Sequence, residues 1–196
     1  MPQPPQPPRR RRVVSRGEVV RGACHYFLRH GTVDMDALAP ALAVSRATLY
    51  RVAGSRDALL GDVLWRLADG LLARARRSRR STGVDGVLEV TRRFTAELRG
   101  ATPFRHFLRT DPETATRLLT SGVVHRRAVL AQRAILLEAG GVGSAGSPAG
   151  LAELDELAYL YVRVVESALY AELLSGRPPD FVRAERAARA VLLHGR

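Results

Sequence analysis

Residues 37–60 read ALAPALAVSRATLYRVAGSRDALL, and this stretch decides the fold. Apolar residues recur at helical spacing up to its turn; they are Met35, Leu38, Ala39 and Leu42. Asp34 can cap that helix at its N-terminus, and Ser45 can cap a second helix from Arg46 to about Val52. Because two short helices joined by a tight turn are typical of a helix-turn-helix, the stretch predicts this motif.

The second helix of the motif can be anchored on one side and present hydrogen-bond donors on the other. At helical spacing, Leu49 lies on the inward side. The helix displays the polar side chains of Arg46, Thr48, Tyr50 and Arg51, with Ser45 at its start. In a helix-turn-helix this element enters the major groove, so the pattern predicts a surface that reads DNA.

The outward side chains have a chemistry that suits DNA. We expect Arg46 to bind guanine edges and Thr48 to contact a base or a phosphate. Tyr50 and Ser45 can donate hydrogen bonds to phosphate oxygens. The exposed amides at residues 55–56, where the fourth helix begins, form a second predicted phosphate site.

Helical periodicity continues on both sides of the motif. Helix one runs from Ser15 to a C-terminal Gly31, and helix four runs from Arg56 to about Arg79. Further helical patterns cover residues 84–99, 103–109, 111–120, 122–139, 151–175 and 179–193. No strand pattern competes, and the stretch 139–150, rich in Gly, Ser and Pro, predicts a mobile loop. The sequence therefore predicts an all-α protein with an N-terminal three-helix DNA-binding domain over residues 15–60.

Positive charge is concentrated in the N-terminal part of the chain. Residues 1–80 hold 16 arginines and six acidic residues, whereas residues 81–196 hold 15 arginines and 13 acidic residues. All 31 basic residues are arginine, as expected from a GC-rich genome. That bias accounts for arginine in place of lysine. It does not account for the scarcity of acids in the first 80 residues, which a phosphate-facing domain requires.

The first residues have a composition of their own. Met1–Pro8 is nearly all Pro and Gln, and Arg9–Arg12 is a run of charge. We expect a disordered basic arm over residues 1–14. Two interpretations stay open: a tail that lies along phosphates or in a minor groove, and a solvated extension with no specific role.

Composition also limits the location and the chemistry. No apolar run approaches the roughly 18 residues of a membrane span, and the first stretch lacks the apolar region of a secretory leader. The single cysteine, Cys24, cannot form an internal disulfide and agrees with a reducing compartment. We therefore expect a cytoplasmic protein with no membrane partner. The five histidines have no i, i+4 pairing, so neither a metal site nor a cofactor is predicted.

The run from Val19 to Leu60, and above all residues 37–60, resembles the N-terminal domain of TetR-family regulators. In that family an Ala-Gly-Val-Ser turn leads into a Thr-Leu-Tyr helix and then into a Lys-Glu-x-Leu helix start. The form TLYR-x-x-GSR-x-LL is also similar to a subgroup named after QsdR. The chain departs at three positions: Ala43 replaces the turn glycine, Ala53 replaces a buried phenylalanine, and Arg56 replaces a lysine.

The resemblance implies a function and a set of site residues. It implies a sequence-specific transcriptional regulator, a repressor that a small, largely apolar ligand releases from its operator. The partner is double-stranded DNA with a palindromic operator, bound by a homodimer. The DNA-binding residues are predicted as Asp34, Ser45, Arg46, Thr48, Tyr50, Arg51 and Arg56. Ligand-driven tilting of helix four would change the separation of the two recognition helices.

Residues 61–196 fit the size of the family's helical ligand-binding and dimerisation domain. Side chains that can line a pocket for an unknown small-molecule effector are Phe94, Phe104, His106, Phe107, His125, Tyr159 and Tyr170. The helices at about 151–175 and 179–193 can form a dimer interface. Their apolar faces consist of Leu154, Leu157, Tyr161, Val164, Val165, Ala168 and Leu169 on the first and Phe181, Ala184, Ala188, Val191 and Leu192 on the second. Alternatively, these faces pack only inside the chain.

Three other functional classes fit less well. Gly141, Gly143 and Gly146 match the dinucleotide fingerprint G-x-G-x-x-G, but a helical segment leads into them where the fingerprint needs a strand. A non-specific nucleic-acid-binding protein would use the arginine-rich half as a polycation, and the large C-terminal region argues against it. An enzyme would need a constellation of carboxylates, histidine and nucleophile that the sequence does not offer. We therefore predict a regulator and not an enzyme.

Overall fold

The computed structural model describes residues 14–120, 122–140 and 148–194, which form eleven helices and no strand. The helices are α1 (Arg16–His30), α2 (Met35–Ala41), α3 (Arg46–Ala53), α4 (Arg56–Arg77), α5 (Gly83–Gly100), α6 (Thr102–Thr110), α7 (Pro112–Thr120), α8 (Val123–Ala139), α9 (Pro148–Leu169), α10 (Ala171–Ser175) and α11 (Phe181–His194). The predicted all-α class is confirmed. Within these ranges no helix combines the length and the hydropathy that crossing a bilayer requires.

The first four helices begin at capping side chains. Ser15 accepts a hydrogen bond from the amide of Glu18, whose side chain in turn accepts from the Ser15 amide, forming a capping box on α1. The predicted caps on the next three helices are also present: Asp34 on α2, Ser45 on α3 and Ser55 on α4. Each cap satisfies amides that a helix leaves unpaired at its N-terminus, so these short side chains set where the helices start.

One predicted helix is wrong in its extent. The pattern over residues 151–175 is divided between α9 and α10, because Tyr170 leaves the helical conformation at φ −110° and ψ 20°. The Tyr170 amide still donates to the carbonyl of Glu166 at 2.9 Å. The chain therefore bends at this residue without losing that hydrogen bond, and periodicity alone could not detect the bend.

Two predicted segments lie mainly outside the described residues. The basic arm is described only at Val14, which is buried in the core beside α1, so this residue does not belong to a solvated arm. The predicted loop 139–150 is described only at its two ends, in α8 and α9. The glycine fingerprint at Gly141, Gly143 and Gly146 lies outside the described residues.

Two apolar clusters form the core, and α4 runs through both. The first joins α1–α4 to α6 and α7, with Phe27 of α1 in an edge-to-face contact with Phe107 of α6 at 6.0 Å between ring centroids. The second joins the end of α4, at Ala75, to α5, α8, α9 and α11. The N-terminal helices thus pack directly on the later helices and are not connected to them by a linker alone.

Candidate DNA-binding surface and ligand cavity

The helix-turn-helix is held by a buried anchor and a tight turn. Leu49 of α3 is fully buried, as the sequence predicts for the inward side. In the turn, the amide of Ala43 donates to the carbonyl of Pro40 at 2.9 Å, and the amide of Val44 donates to that of Ala39 at 3.1 Å. Ala43 has a φ of 53°. The position therefore has the left-handed conformation that glycine adopts most easily, although the chain places alanine there.

The outer face of α3 carries a connected set of polar side chains. The Ser45 hydroxyl accepts from the Thr48 amide at 3.1 Å and lies 2.9 Å from the Thr48 hydroxyl. Arg46 forms an exposed ion pair with Asp36 of α2 at 2.9 Å, and its guanidinium lies over the Tyr50 ring at 5.7 Å from the centroid. Arg51 is exposed on the same helix. The structure therefore places five of the seven predicted DNA-binding residues on α3 and its N-cap.

The other two predicted DNA-binding residues have a different position. The Asp34 carboxylate caps α2 by accepting from the amides of Asp36 and Ala37. Arg56 turns inward: it donates to the Val33 carbonyl at 2.8 Å and to the Asp111 carboxylate at 2.9 Å. In the structure the Arg56 guanidinium is thus engaged by acceptors of the protein, and its phosphate contact stays a prediction.

Arg16 is a positioning residue that the sequence reasoning missed. Its guanidinium donates to the carbonyls of Val52 and Ala53, at the C-terminal end of α3, at 3.0 and 3.2 Å. It also binds the Asp62 carboxylate of α4 at 2.7 Å. A cation at a helix C-terminus interacts favourably with the exposed carbonyls. Because 36 residues separate Arg16 from Val52, no local pattern could reveal the contact.

A cavity of about 400 Å³ lies between α4 and the later helices. Its wall is largely apolar and includes residues of α1, α4, α5, α6, α7, α8 and α9 together with Tyr170. The part of α4 between Leu64 and Arg74 forms one side. The volume falls in the range of roughly 300–1,000 Å³ typical of small-molecule sites.

The cavity contains three of the residues predicted to bind a ligand, namely Phe94, Phe104 and Tyr170. Phe107 is fully buried against α1 and does not line the cavity. Tyr159 is exposed beside His125, and neither ring is part of the wall. His106 is exposed near Gly31. The structure therefore places these four residues outside the wall of this cavity, because aromatic character alone does not distinguish a core or surface position from a cavity wall.

A buried acid and base lie behind the cavity wall. His125 Nδ1 of α8 lies 2.9 Å from Glu166 Oε1 of α9, and both side chains are buried. Arg163 donates to the other Glu166 oxygen at 3.3 Å and to the carbonyl of Thr120 at 2.7 Å. Burial raises the pKa of the Glu166 carboxyl, against the opposing effects of His125 and Arg163. The group joins α7, α8 and α9, and Glu166 is its member that lines the cavity.

A family of known proteins shares the C-terminal helices of this chain. The tetracyclin repressor-like C-terminal domain family matches residues 82–193, which is more than half of the chain. The chain belongs to the TetR family. TetR-family regulators are transcription factors, not enzymes, and they bind DNA and dimerise.

Solved structures of TetR-family proteins are similar to this chain. The R. erythropolis transcriptional repressor QsdR is 26% identical, with a TM-score of 0.80, over 90% of this chain and 93% of that chain. A TetR-family transcriptional regulator from Streptomyces coelicolor is 21% identical, with a TM-score of 0.46, over 92% of this chain and 78% of that chain. No curated protein matches the sequence.

The apolar faces predicted for dimerisation are used inside the TetR-family fold of this chain. Leu154, Leu157 and Tyr161 of α9 are buried in the second apolar cluster. Ala188 and Leu192 of α11 are buried in the same cluster, because α9 packs against α11. These five side chains therefore pack inside the chain, while dimerisation through the same two helices stays a prediction.

Proposed function

We propose that this protein is a transcriptional repressor that binds a palindromic operator through α3 and leaves it when a small, largely apolar molecule fills the cavity. The observation that carries the proposal is the outer face of α3. It presents Ser45, Arg46, Thr48, Tyr50 and Arg51 around a fully buried Leu49. The similarity to QsdR, itself a transcriptional repressor, supports the direction of regulation.

We propose that a movement of α4 links ligand binding in the cavity to the release of DNA. One side of the cavity is the middle of this helix, and its N-terminus follows α3 directly. Asp62 on α4 binds both Arg16, which holds the end of α3, and Arg127 of α8 at 3.0 Å. A ligand that displaces α4 relative to α8 would therefore also disturb the contact of Arg16 with the end of α3.

The homodimer is proposed to form through the outer faces of α9 and α11. Apolar side chains are exposed there, with Leu160 at 45%, Val182 at 67% and Leu193 at 48% of their full accessible area. Charges of opposite sign flank them, with Glu153 and Glu156 on α9 and Arg183 and Arg186 on α11. In a two-fold interface, α9 of each copy can meet α11 of the other, so these charges attract.

The DNA proposal is tested by fluorescence anisotropy on labelled DNA from the region flanking the gene and on scrambled DNA, at two salt concentrations. We expect tight binding to the native fragment only, at two chains per site. Arg51→Ala and Tyr50→Ala should each weaken it about tenfold, since each removes a contact worth about 1–1.5 kcal/mol.

A matched control distinguishes a specific contact made by α3 from a general effect of positive charge on DNA binding. Arg126→Ala removes the same charge from an exposed position on α8 and should leave operator binding unchanged. Equal and strongly salt-dependent binding to both DNAs, with equal losses in Arg51→Ala and Arg126→Ala, would instead identify a non-specific polycation.

The dimer proposal is tested by sedimentation equilibrium. Val182→Glu should shift the protein toward a monomer, because it places an acid in a packed apolar contact. Leu174→Glu makes the same kind of change at an exposed residue of α10 and should leave the mass unchanged. An intact dimer in Val182→Glu would place the interface elsewhere.

A further inference from the structure

Gln132 of α8 has a buried amide nitrogen with no acceptor. Its side chain lines the cavity and only 6% of the residue is exposed. Nothing in the described part of the chain accepts a hydrogen bond from Nε2. Burying an amide donor without a partner is costly, so such groups in native proteins are rare and have a cause.

Two other polar groups of the inner wall already have partners. Glu166 is engaged by His125 and Arg163. The Tyr161 hydroxyl lies 2.8 Å from the Thr91 hydroxyl, so each satisfies the other. Gln132 differs from these two groups, because its buried donor is unused and borders a largely apolar space. What suits that donor is a hydrogen-bond acceptor on a ligand.

The charges of the wall favour a ligand without a net charge. The arginines that line the cavity, Arg66 and Arg74, are both exposed, and Arg74 forms an ion pair with Glu97 at 2.8 Å. Among the described residues of the wall, no buried cation is left to neutralise an anion beside Gln132. The carboxylate of Glu166 already has two basic partners, His125 and Arg163, so it is not available to compensate the charge of a cationic ligand.

We infer that the cavity binds an uncharged, largely apolar molecule with one hydrogen-bond acceptor, such as a carbonyl oxygen, which Gln132 Nε2 holds. The inference rests on the proposed function in that this molecule is the effector of the regulator. It adds the chemical class of the effector and the residue that recognises its polar group.

The test uses three ligands of nearly equal shape and the full-length protein. Cyclohexyl methyl ketone carries the acceptor, isopropylcyclohexane lacks it, and cyclohexanecarboxylate carries it with a charge. Calorimetric titration gives the three affinities. The side-chain NH₂ signals of ¹⁵N-labelled protein report the contact directly, because the chain has no asparagine and its glutamines are Gln3, Gln6 and Gln132.

We expect the ketone to bind about tenfold more tightly than the hydrocarbon and the carboxylate, and to shift the Gln132 NH₂ signal but not the other two. Gln132→Met keeps the size of the side chain and removes the donor. It should abolish the preference for the ketone while it binds the hydrocarbon at least as well. Leu98→Met, at a buried apolar position of the wall, should keep the preference.

Two results would overturn the inference: a bound ketone that leaves the Gln132 signal unchanged, or a carboxylate that binds as tightly as the ketone. Failure of all three ligands to bind at millimolar concentration would overturn it as well. If the ketone binds through Gln132 but operator affinity stays unchanged in its presence, the proposed release of DNA is wrong while the chemistry of the cavity stands.

Discussion

At the scale of single residues, short polar side chains position the DNA-binding helix. Ser45 caps α3 and also lies against Thr48, so one hydroxyl fixes both the helix start and the orientation of a neighbour on the surface. Arg46 is held beside Asp36 in an exposed ion pair, which contributes about 1 kcal/mol or less. Such a weak pair does not oppose the exchange of Asp36 for a base or a phosphate that the proposed function requires of Arg46.

The turn residue gives a first prediction. Ala43→Gly should raise the free energy of unfolding by about 0.5–1 kcal/mol, because alanine is strained at a φ of 53° and glycine is not. For a chain of this size that corresponds to a rise in Tm of about 1–4 °C, which thermal denaturation by circular dichroism can measure.

A second glycine substitution gives the control for this prediction. Ala47→Gly places glycine at an exposed position inside α3 and should lower the free energy of unfolding by a similar amount. If both variants were destabilised, the strain at Ala43 would be less than the entropy that glycine adds to the unfolded chain.

At the scale of elements, Glu89 ties the connection between α4 and α5 to the body of α5. Its carboxylate accepts from the amides of Arg80 and Ser81 at 3.0 and 2.9 Å, and from Arg93 at 2.8 Å. These hydrogen bonds, first among them the one from Ser81, lower the pKa of Glu89 from 4.5 to about 2. The Glu89 side chain therefore holds the connection between α4 and α5 against the body of α5.

The lowered pKa of Glu89 predicts how stability depends on pH. A carboxyl whose pKa is lower in the folded protein stabilises the fold above the unfolded value and loses that contribution as the pH falls through the folded value. Glu89→Gln should therefore have a lower Tm than the natural protein at pH 7. The difference should persist down to about pH 4.5 and disappear as the pH approaches about 2. A constant difference across this range would show that Glu89 acts through packing and not through its charge.

At the scale of the whole molecule, Asp62 of α4 connects the first helices of the chain to the later ones. It is 16% exposed at its side chain and binds Arg16 of α1 and Arg127 of α8. Two further ion pairs cross the same boundary, Arg56 with Asp111 and Asp57 with Arg117. Together with the apolar cluster that α1–α4 share with α6 and α7, these contacts join the first four helices to the later ones.

The Asp62 connection predicts a loss of both stability and DNA affinity. Asp62→Asn should lower the free energy of unfolding by about 1–2 kcal/mol and weaken operator binding severalfold, because Arg16 loses the carboxylate that holds it against the end of α3. Urea denaturation and DNA anisotropy measure the two effects.

The ion pair of Asp155 with Arg133 provides the comparison, since it lies between α8 and α9 and joins no residue of the DNA-binding helices. Asp155→Asn should cost stability alone. Equal operator affinity in Asp62→Asn and the natural protein would exclude Asp62 from the proposed route between ligand and DNA.

Local sequence was enough to predict the helices that begin at capping side chains and the buried and exposed sides of α3. These features depend on residues within one or two turns of each other, so local spacing specifies them, as the caps at Asp34, Ser45 and Ser55 show. The outward face of α3 followed from the inward position of Leu49 for the same reason.

Contacts between side chains far apart in the sequence became visible only in the folded chain. Arg56 was predicted as a phosphate contact, yet its acceptors include Asp111, 55 residues away. The apolar faces of α9 and α11 were predicted to meet a second copy, yet they pack on each other and on α5 and α8. The sequence shows that an apolar face or a charged side chain needs a partner. Which partner it contacts depends on how distant helices pack. Gln132 is the clearest case, because the isolation of its donor exists only where α8 borders the cavity.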